Sequence, residues 1–130
     1  MSAEIKPNTF CTAVTCMDGR IQDSVTAYLR EYFHTQWVDI VSEAGPVSSI
    51  AIGNQRISKA VVKRVQLSLD AHGSCGIALV AHEDCAAIPG DLAQKKPIAL
   101  EAQRRLRLLF PTIDVIAIWA NLDGTIIFLG

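Results

Sequence analysis

The stretch Thr15-Cys16-Met17-Asp18-Gly19-Arg20 lies between a short apolar run and a segment with helical periodicity. The apolar run, Phe10-Cys11-Thr12-Ala13-Val14, has the length and composition of a buried strand. From Ile21 to Phe33, apolar residues recur at steps of three and four, which predicts a helix. A thiol, a carboxylate and a guanidinium are therefore expected together on one tight strand-to-helix turn.

The rest of the chain alternates strand-like and helix-like segments. Strands are predicted at 37–41, 76–81 and 113–119, helices at about 57–72 and 97–110, and a loop or short turn at 47–55. A turn at 121–124 leads into a last strand at 125–129. Near-continuous apolar strands that alternate with helices indicate an α/β fold. We expect a mainly parallel four-stranded sheet with helices on both faces and a C-terminal antiparallel edge strand.

Length and composition narrow the functional classes. The 130 residues predict a single domain, residues 1–130, of which 1–9 form an N-terminal tail. A net charge of −1 gives no basis for binding nucleic acid or a membrane surface. No apolar run approaches the roughly 18 residues of a membrane span, yet half the residues are hydrophobic, which favours an oligomer. The N-terminus lacks a signal-peptide pattern, so we expect a cytoplasmic protein with reduced cysteines.

A second polar turn, His82-Glu83-Asp84-Cys85, follows the third predicted strand. In open parallel sheets, ligand sites lie beyond the strand C-termini, where the strand order reverses. If the first and third strands are neighbours, with the second outside the first, Cys16 meets His82 and Cys85. Two thiolates and an imidazole are ligands that suit zinc and leave its fourth position open.

A rival pair, His72 and Cys75, has the same spacing as His82 and Cys85. This pair precedes the third strand, so it is expected at the opposite edge of the sheet, roughly 20 Å from Cys16. We therefore interpret His72 as a helix terminus and Cys75 as a packed thiol.

Two charged residues share the first turn with Cys16. Asp18 is expected to reach the metal site, either accepting a hydrogen bond from a zinc-bound hydroxide or occupying the fourth position itself. Arg20 is expected to hold Asp18 through a charge-assisted hydrogen bond and so to choose between these two poses.

Cys16-x-Asp18-x-Arg20 followed by His82-x-x-Cys85 resembles the paired motif of the β-class carbonic anhydrases, over roughly residues 10–130. The resemblance implies an enzyme that reversibly hydrates CO₂ to bicarbonate through a zinc-bound hydroxide. It further implies Cys16, His82 and Cys85 as zinc ligands, Asp18 and Arg20 as the catalytic dyad, and a homodimer or homotetramer.

The chain departs from the family pattern around the expected substrate pocket. Gly19 replaces a serine, Ser42 and Glu43 stand where arginine and asparagine are common, and Ala81 and Ala86 replace glycines. These changes leave two alternatives open. One is a hydrolase of a related small molecule such as COS or CS₂, and the other is a non-catalytic zinc- or anion-binding homologue in which Asp18 caps the metal.

Overall fold

The computed structural model of the protein describes residues 4–130. The elements, in chain order, are β1 (Lys6–Cys16), α1 (Gln22–Phe33), β2 (Thr35–Glu43), α2 (Pro46–Ala51), α3 (Gln55–His72), β3 (Gly76–His82), α4 (Leu92–Leu109), β4 (Asp114–Ala120) and β5 (Ile126–Phe128). Within this described part, no helix is both long enough and apolar enough to cross a membrane.

The strands form one five-stranded sheet in the order β2-β1-β3-β4-β5. The first four strands are parallel, and β5 pairs antiparallel with β4 at the edge. This confirms the predicted α/β class and the predicted neighbours, because β3 lies beside β1 and β2 lies outside β1. The chain therefore winds outward in opposite directions from the β1/β3 pair, which places the switch point of the sheet between the ends of these two strands.

Apolar layers cover both faces of the sheet. On one face, Ala13 of β1 and Val80 of β3 pack with Val25 and Leu29 of α1. Ile21, in the turn before α1, joins the same cluster. On the other face, alternate strand residues pack against α2, α3 and α4; this cluster includes Val14, Leu79, Val61, Val65, Ala99 and Leu106. All seven residues of β3 are buried, as expected for a central parallel strand.

The largest differences from the sequence-based expectation lie in α2, α4 and β1, while the other elements shift by about two residues or less at their ends. Residues predicted as a loop form the short helix α2, which has Pro46 in its first turn and buries Val47 and Ile50. A helix of this length is not stable alone, so its packing against the rest of the protein stabilises it. Helix α4 begins at Leu92 rather than near Pro97, because Asp91 and Gln94 form a capping box. Strand β1 already includes residues 6–9 of the predicted tail, and residues 1–3 of that tail lie outside the described part of the chain.

Candidate metal centre

Three side chains that could hold a metal ion converge at the switch point of the sheet. Cys16 is the last residue of β1, His82 is the last residue of β3, and Cys85 lies in the turn that follows. Their ligand atoms all lie within 4.8 Å of one another. Among residues 4–130, no other group of three or more His, Cys, Asp and Glu side chains has this arrangement. Parallel pairing of β1 with β3 thus brings the two distant motifs together.

The imidazole of His82 has one ring nitrogen available for a ligand. Its Nδ1 lies 2.7 Å from the carbonyl oxygen of Glu83, which can only accept a hydrogen bond, so Nδ1 carries the proton. The other nitrogen, Nε2, is buried and has no hydrogen-bond partner within the described residues. An unpaired buried nitrogen beside two thiols is costly unless it binds something. This donor set fits Zn²⁺, since a metal-bound imidazole commonly donates its other N–H to a carbonyl.

Asp18 and Arg20 form the hydrogen-bonded pair that the sequence predicted. Arg20 donates from Nη2 to Asp18 Oδ2 at 2.8 Å and from Nε to Oδ1 at 3.1 Å, and its backbone N–H also donates to Oδ1. These hydrogen bonds lower the pKa of Asp18 to about 2 and raise the pKa of Arg20. Asp18 Oδ2 also lies 4.0 Å from Nδ1 of His82, so an ionised carboxylate stands next to the candidate metal ligands.

A third residue of this charge network, Asp84, is missing from the sequence-based site. Arg20 Nη1 lies 3.3 Å from Asp84 Oδ2, and Nη2 donates to the backbone oxygen of Asp84 at 3.1 Å. Asp84 adopts a left-handed backbone conformation with φ of 55°, which shapes the turn between His82 and Cys85. Arg20 therefore ties the two ligand-bearing turns together. No sequence signal could have found this link, because Asp84 is only one polar residue in a polar turn.

A small cavity of about 20 Å³ adjoins the candidate ligands. Cys16, His82 and Cys85 share its wall with Ile88, Ile98 and Lys95. Lys95 is only 4% exposed; its Nζ donates to the His82 carbonyl oxygen at 3.0 Å and lies 5.5 Å from the ring centroid of Trp119. The sequence-based analysis missed Lys95, because the pair Lys95-Lys96 has the pattern of a solvated helix surface.

Two residues of the β2–α2 turn have specific local roles. Glu43 forms an ion pair with Arg64 of α3 at 2.8 Å, which balances the negative charge of its carboxylate. Gly45 has a φ of 59°, and a side-chain carbon there would lie 2.8 Å from Ile88 Cγ1. The close approach of the β2–α2 turn to the loop after Cys85 therefore requires glycine at this position.

The rival pair lies away from the metal centre, as expected. His72 Nδ1 lies 2.6 Å from Asp39 Oδ2, and its ring stacks on Phe10 with centroids 4.1 Å apart. The expectation of a packed thiol at Cys75 was wrong, because this residue is exposed at the turn before β3. A much larger groove, about 1010 Å³, lies between α3 and α4 and contains none of the candidate ligands. We assign the site to the small cavity because the ligand chemistry lies there.

Comparison with known proteins agrees with this geometry. Residues 6–129 match the model of a family described as "Putative carbonic anhydrase". Among solved structures, the chain is similar to the carbonic anhydrase from Streptococcus mutans, with a TM-score of 0.61 and 20% identity over 100% of this chain and 87% of that one. At this identity the likeness shows a shared fold. No curated protein matches the chain.

Proposed function

We propose a function on the premise that the chain belongs to this carbonic anhydrase family, as a divergent member of the β-class type. The proposed function is zinc-dependent, reversible hydration of CO₂ to bicarbonate. The observation that carries the proposal is the convergence of Cys16, His82 and Cys85 within 4.8 Å beside a small cavity.

The three converging side chains would hold zinc through the two sulfur atoms and through His82 Nε2. Two thiolates and a neutral imidazole balance the charge of Zn²⁺, and three protein ligands leave one position open. When bound, zinc would supply Lewis-acid chemistry that activates a water molecule for attack on CO₂. The hydrogen bond from His82 Nδ1 to the Glu83 carbonyl oxygen fixes the orientation of the ring and leaves Nε2 as the nitrogen that would bind the metal.

Asp18 and Arg20 would position the attacking water. The hydrogen bonds from Arg20 keep Asp18 ionised, so Asp18 Oδ2 can accept a hydrogen bond from that water and direct its lone pair. Both carboxylate oxygens of Asp18 are engaged by Arg20. This arrangement favours a catalytic site over the alternative in which Asp18 caps the metal, since capping would require the carboxylate to turn away from its partner.

The cavity favours a small substrate with little polarity. Its apolar wall includes Val47, Ile88 and Ile98, which offer no hydrogen-bond partner to a polar substrate. CO₂ fits these constraints. COS and CS₂ have the same linear shape, so they are the second candidate substrates.

We further propose that the chain works as a homodimer or homotetramer in the cytoplasm. Leu67 and Leu109 line the large groove between α3 and α4 and are 66% and 56% exposed. A second copy of the chain would bury this apolar surface. The four free cysteines agree with a reducing compartment. Sedimentation of a single species at twice or four times the chain mass is expected; a monomer at micromolar concentration would contradict the assembly.

Stopped-flow CO₂ hydration on protein with one measured zinc per chain tests the proposed reaction. We expect a zinc-dependent rate far above that of buffer. Cys85→Ser should lower zinc content well below one per chain, whereas Cys75→Ser, which removes an exposed thiol outside the site, should retain both zinc and activity. Zinc-loaded protein without acceleration of CO₂ hydration at any pH would refute the reaction, and COS and CS₂ would then be assayed.

A further inference from the structure

Gln22, the first residue of α1, holds the turn that carries Cys16 and Asp18. Its Nε2 donates to the backbone oxygen of Cys16 at 2.9 Å and to the backbone oxygen of Asp18 at 2.7 Å. Because a carbonyl oxygen can only accept, the nitrogen of the carboxamide faces the turn, and both of its N–H groups are used. One side chain therefore links the backbone of a candidate metal ligand to the backbone of the neighbouring carboxylate residue.

The turn has little else that fixes its shape. Three of its residues are exposed: Met17, Gly19 and Arg20. A side-chain carbon at Gly19 would meet nothing within 4 Å, so packing does not hold the middle of the turn. The Met17 N–H donates to Glu43 O at 3.0 Å, but the later hydrogen bond from Ile21 N–H to Asp18 O is long, at 3.5 Å. Ile21 also makes no side-chain capping hydrogen bond, so Gln22 supplies the short hydrogen bond at this end.

The direction of the Asp18 side chain depends on the backbone that Gln22 holds. Arg20 donates from Nε to Asp18 Oδ1 and from Nη2 to Oδ2, and its backbone N–H donates to Oδ1 at 2.9 Å. These three hydrogen bonds act on the carboxylate, whereas Gln22 acts on the carbonyl oxygen of the same residue. The pose of Asp18 is therefore fixed from its side chain and from its backbone by two different partners.

We infer that Gln22 is a positioning residue that keeps Asp18 paired with Arg20 rather than turned toward the metal. Gln22 acts through Asp18, because its side chain donates to backbone oxygens and it is not one of the described residues that line the cavity. The inference deepens the proposed function and rests on it for its catalytic consequence, since the paired carboxylate is the one that would direct the attacking water.

The Nε–H group of Arg20 reports this pairing without any measurement of activity. In zinc-loaded, ¹⁵N-labelled protein at slightly acidic pH, an arginine Nε–H that donates to a carboxylate is protected from exchange with water and gives its own NMR signal. Arg20→Lys assigns that signal by its absence. Arg104 provides an internal reference, because its Nε donates to Glu101 Oε2 at 2.9 Å in a second arginine–carboxylate pair, on α4 and outside the site.

Gln22→Met and Gln22→Ala each remove the two donors from a partly exposed side chain. At the zinc content of the parent, exchange of the Arg20 Nε–H with water should become roughly tenfold faster in both variants, because hydrogen bonds that stabilise the paired pose are lost. The Arg104 signal should not change. The matched control is Gln55→Met, which makes the same replacement at the exposed first residue of α3. This control should leave exchange at Arg20 within about twofold of the parent.

Three spectroscopic results would overturn the inference. They are unchanged exchange at Arg20 in both Gln22 variants, equal acceleration by Gln55→Met, and equal acceleration at Arg104, which would indicate a general loosening of the fold. Each of these results can be read whether or not the protein hydrates CO₂.

CO₂ hydration on the same samples separates this inference from the proposed function. In an active parent, Gln22→Met should lower kcat/KM roughly tenfold or more at full zinc content, because Asp18 is misplaced. Unchanged kcat/KM despite faster exchange at Arg20 would refute the positioning role. Faster exchange in the Gln22 variants of an inactive parent would refute the reaction and keep the effect of Gln22 on the pairing. Hydration by the parent, with unchanged exchange in those variants, would refute the positioning role alone.

Discussion

Replacement of Gly45 by alanine tests how closely the β2–α2 turn packs against Ile88 in the wall of the cavity. The added carbon would lie 2.8 Å from Ile88 Cγ1 and 3.0 Å from the Ala87 side chain, at a residue with a φ of 59°. The backbone conformation alone costs about 1–2 kcal/mol for a residue with a side chain. Overpacking against Ile88 adds about 1–3 kcal/mol. Gly45→Ala should therefore lower the free energy of unfolding by about 2–5 kcal/mol, the sum of these two ranges.

A matched variant separates the two contributions. Gly73, which ends α3, has a φ of 62°, and a side-chain carbon there would meet nothing within 4 Å. Gly73→Ala should therefore show only the backbone cost, about 1–2 kcal/mol in urea unfolding. In the double variant Gly45→Ala/Ile88→Ala, the steric part should be relieved and appear as a favourable coupling energy of about 1–3 kcal/mol. Equal destabilisation by the two glycine replacements, with no coupling to Ile88, would refute the reasoning.

Three further changes test the charge networks. Arg20→Ala should leave zinc in place but alter the pH profile of CO₂ hydration, because Asp18 loses the hydrogen bonds that keep it ionised; an unchanged profile would mean that the pair is only structural. Asp84→Asn should change the free energy of unfolding by about 1 kcal/mol or less, since its ion pair with Arg20 is exposed; a larger loss in urea titration would contradict this. Glu101→Gln should lower the melting temperature at neutral pH, and its difference from the parent should vanish as the pH falls from 4.5 to about 2. Hydrogen bonds from Arg104 lower the pKa of Glu101 to about 2. The ionised carboxylate therefore stabilises the folded state fully above its unfolded pKa, and this stabilisation is lost as the carboxylate becomes protonated. A difference in melting temperature that persists at pH 2 would contradict the assignment.

The sequence by itself determined the class of the fold and the members of the candidate metal centre. Apolar runs that alternate with helical periodicity identify a parallel sheet, and a parallel sheet brings the ends of β1 and β3 to one edge. Cys16, His82 and Cys85 could therefore be grouped before any coordinates, because each stands at or just after a strand end. Asp18 and Arg20 could be paired for a simpler reason, because residues two positions apart on one turn are close in space whatever the tertiary structure.

Only the tertiary structure decided what surrounds that centre. The burial of Lys95, its place above Trp119 and the link from Arg20 to Asp84 all join elements that are distant along the chain. Periodicity assigns a residue to a helix, but a lysine at the border of the apolar face has the same pattern whether it extends into water or into a cavity. Its environment depends on how α4 packs against the ends of β3 and β4, and that packing is a property of the assembled sheet and its helices rather than of any single segment.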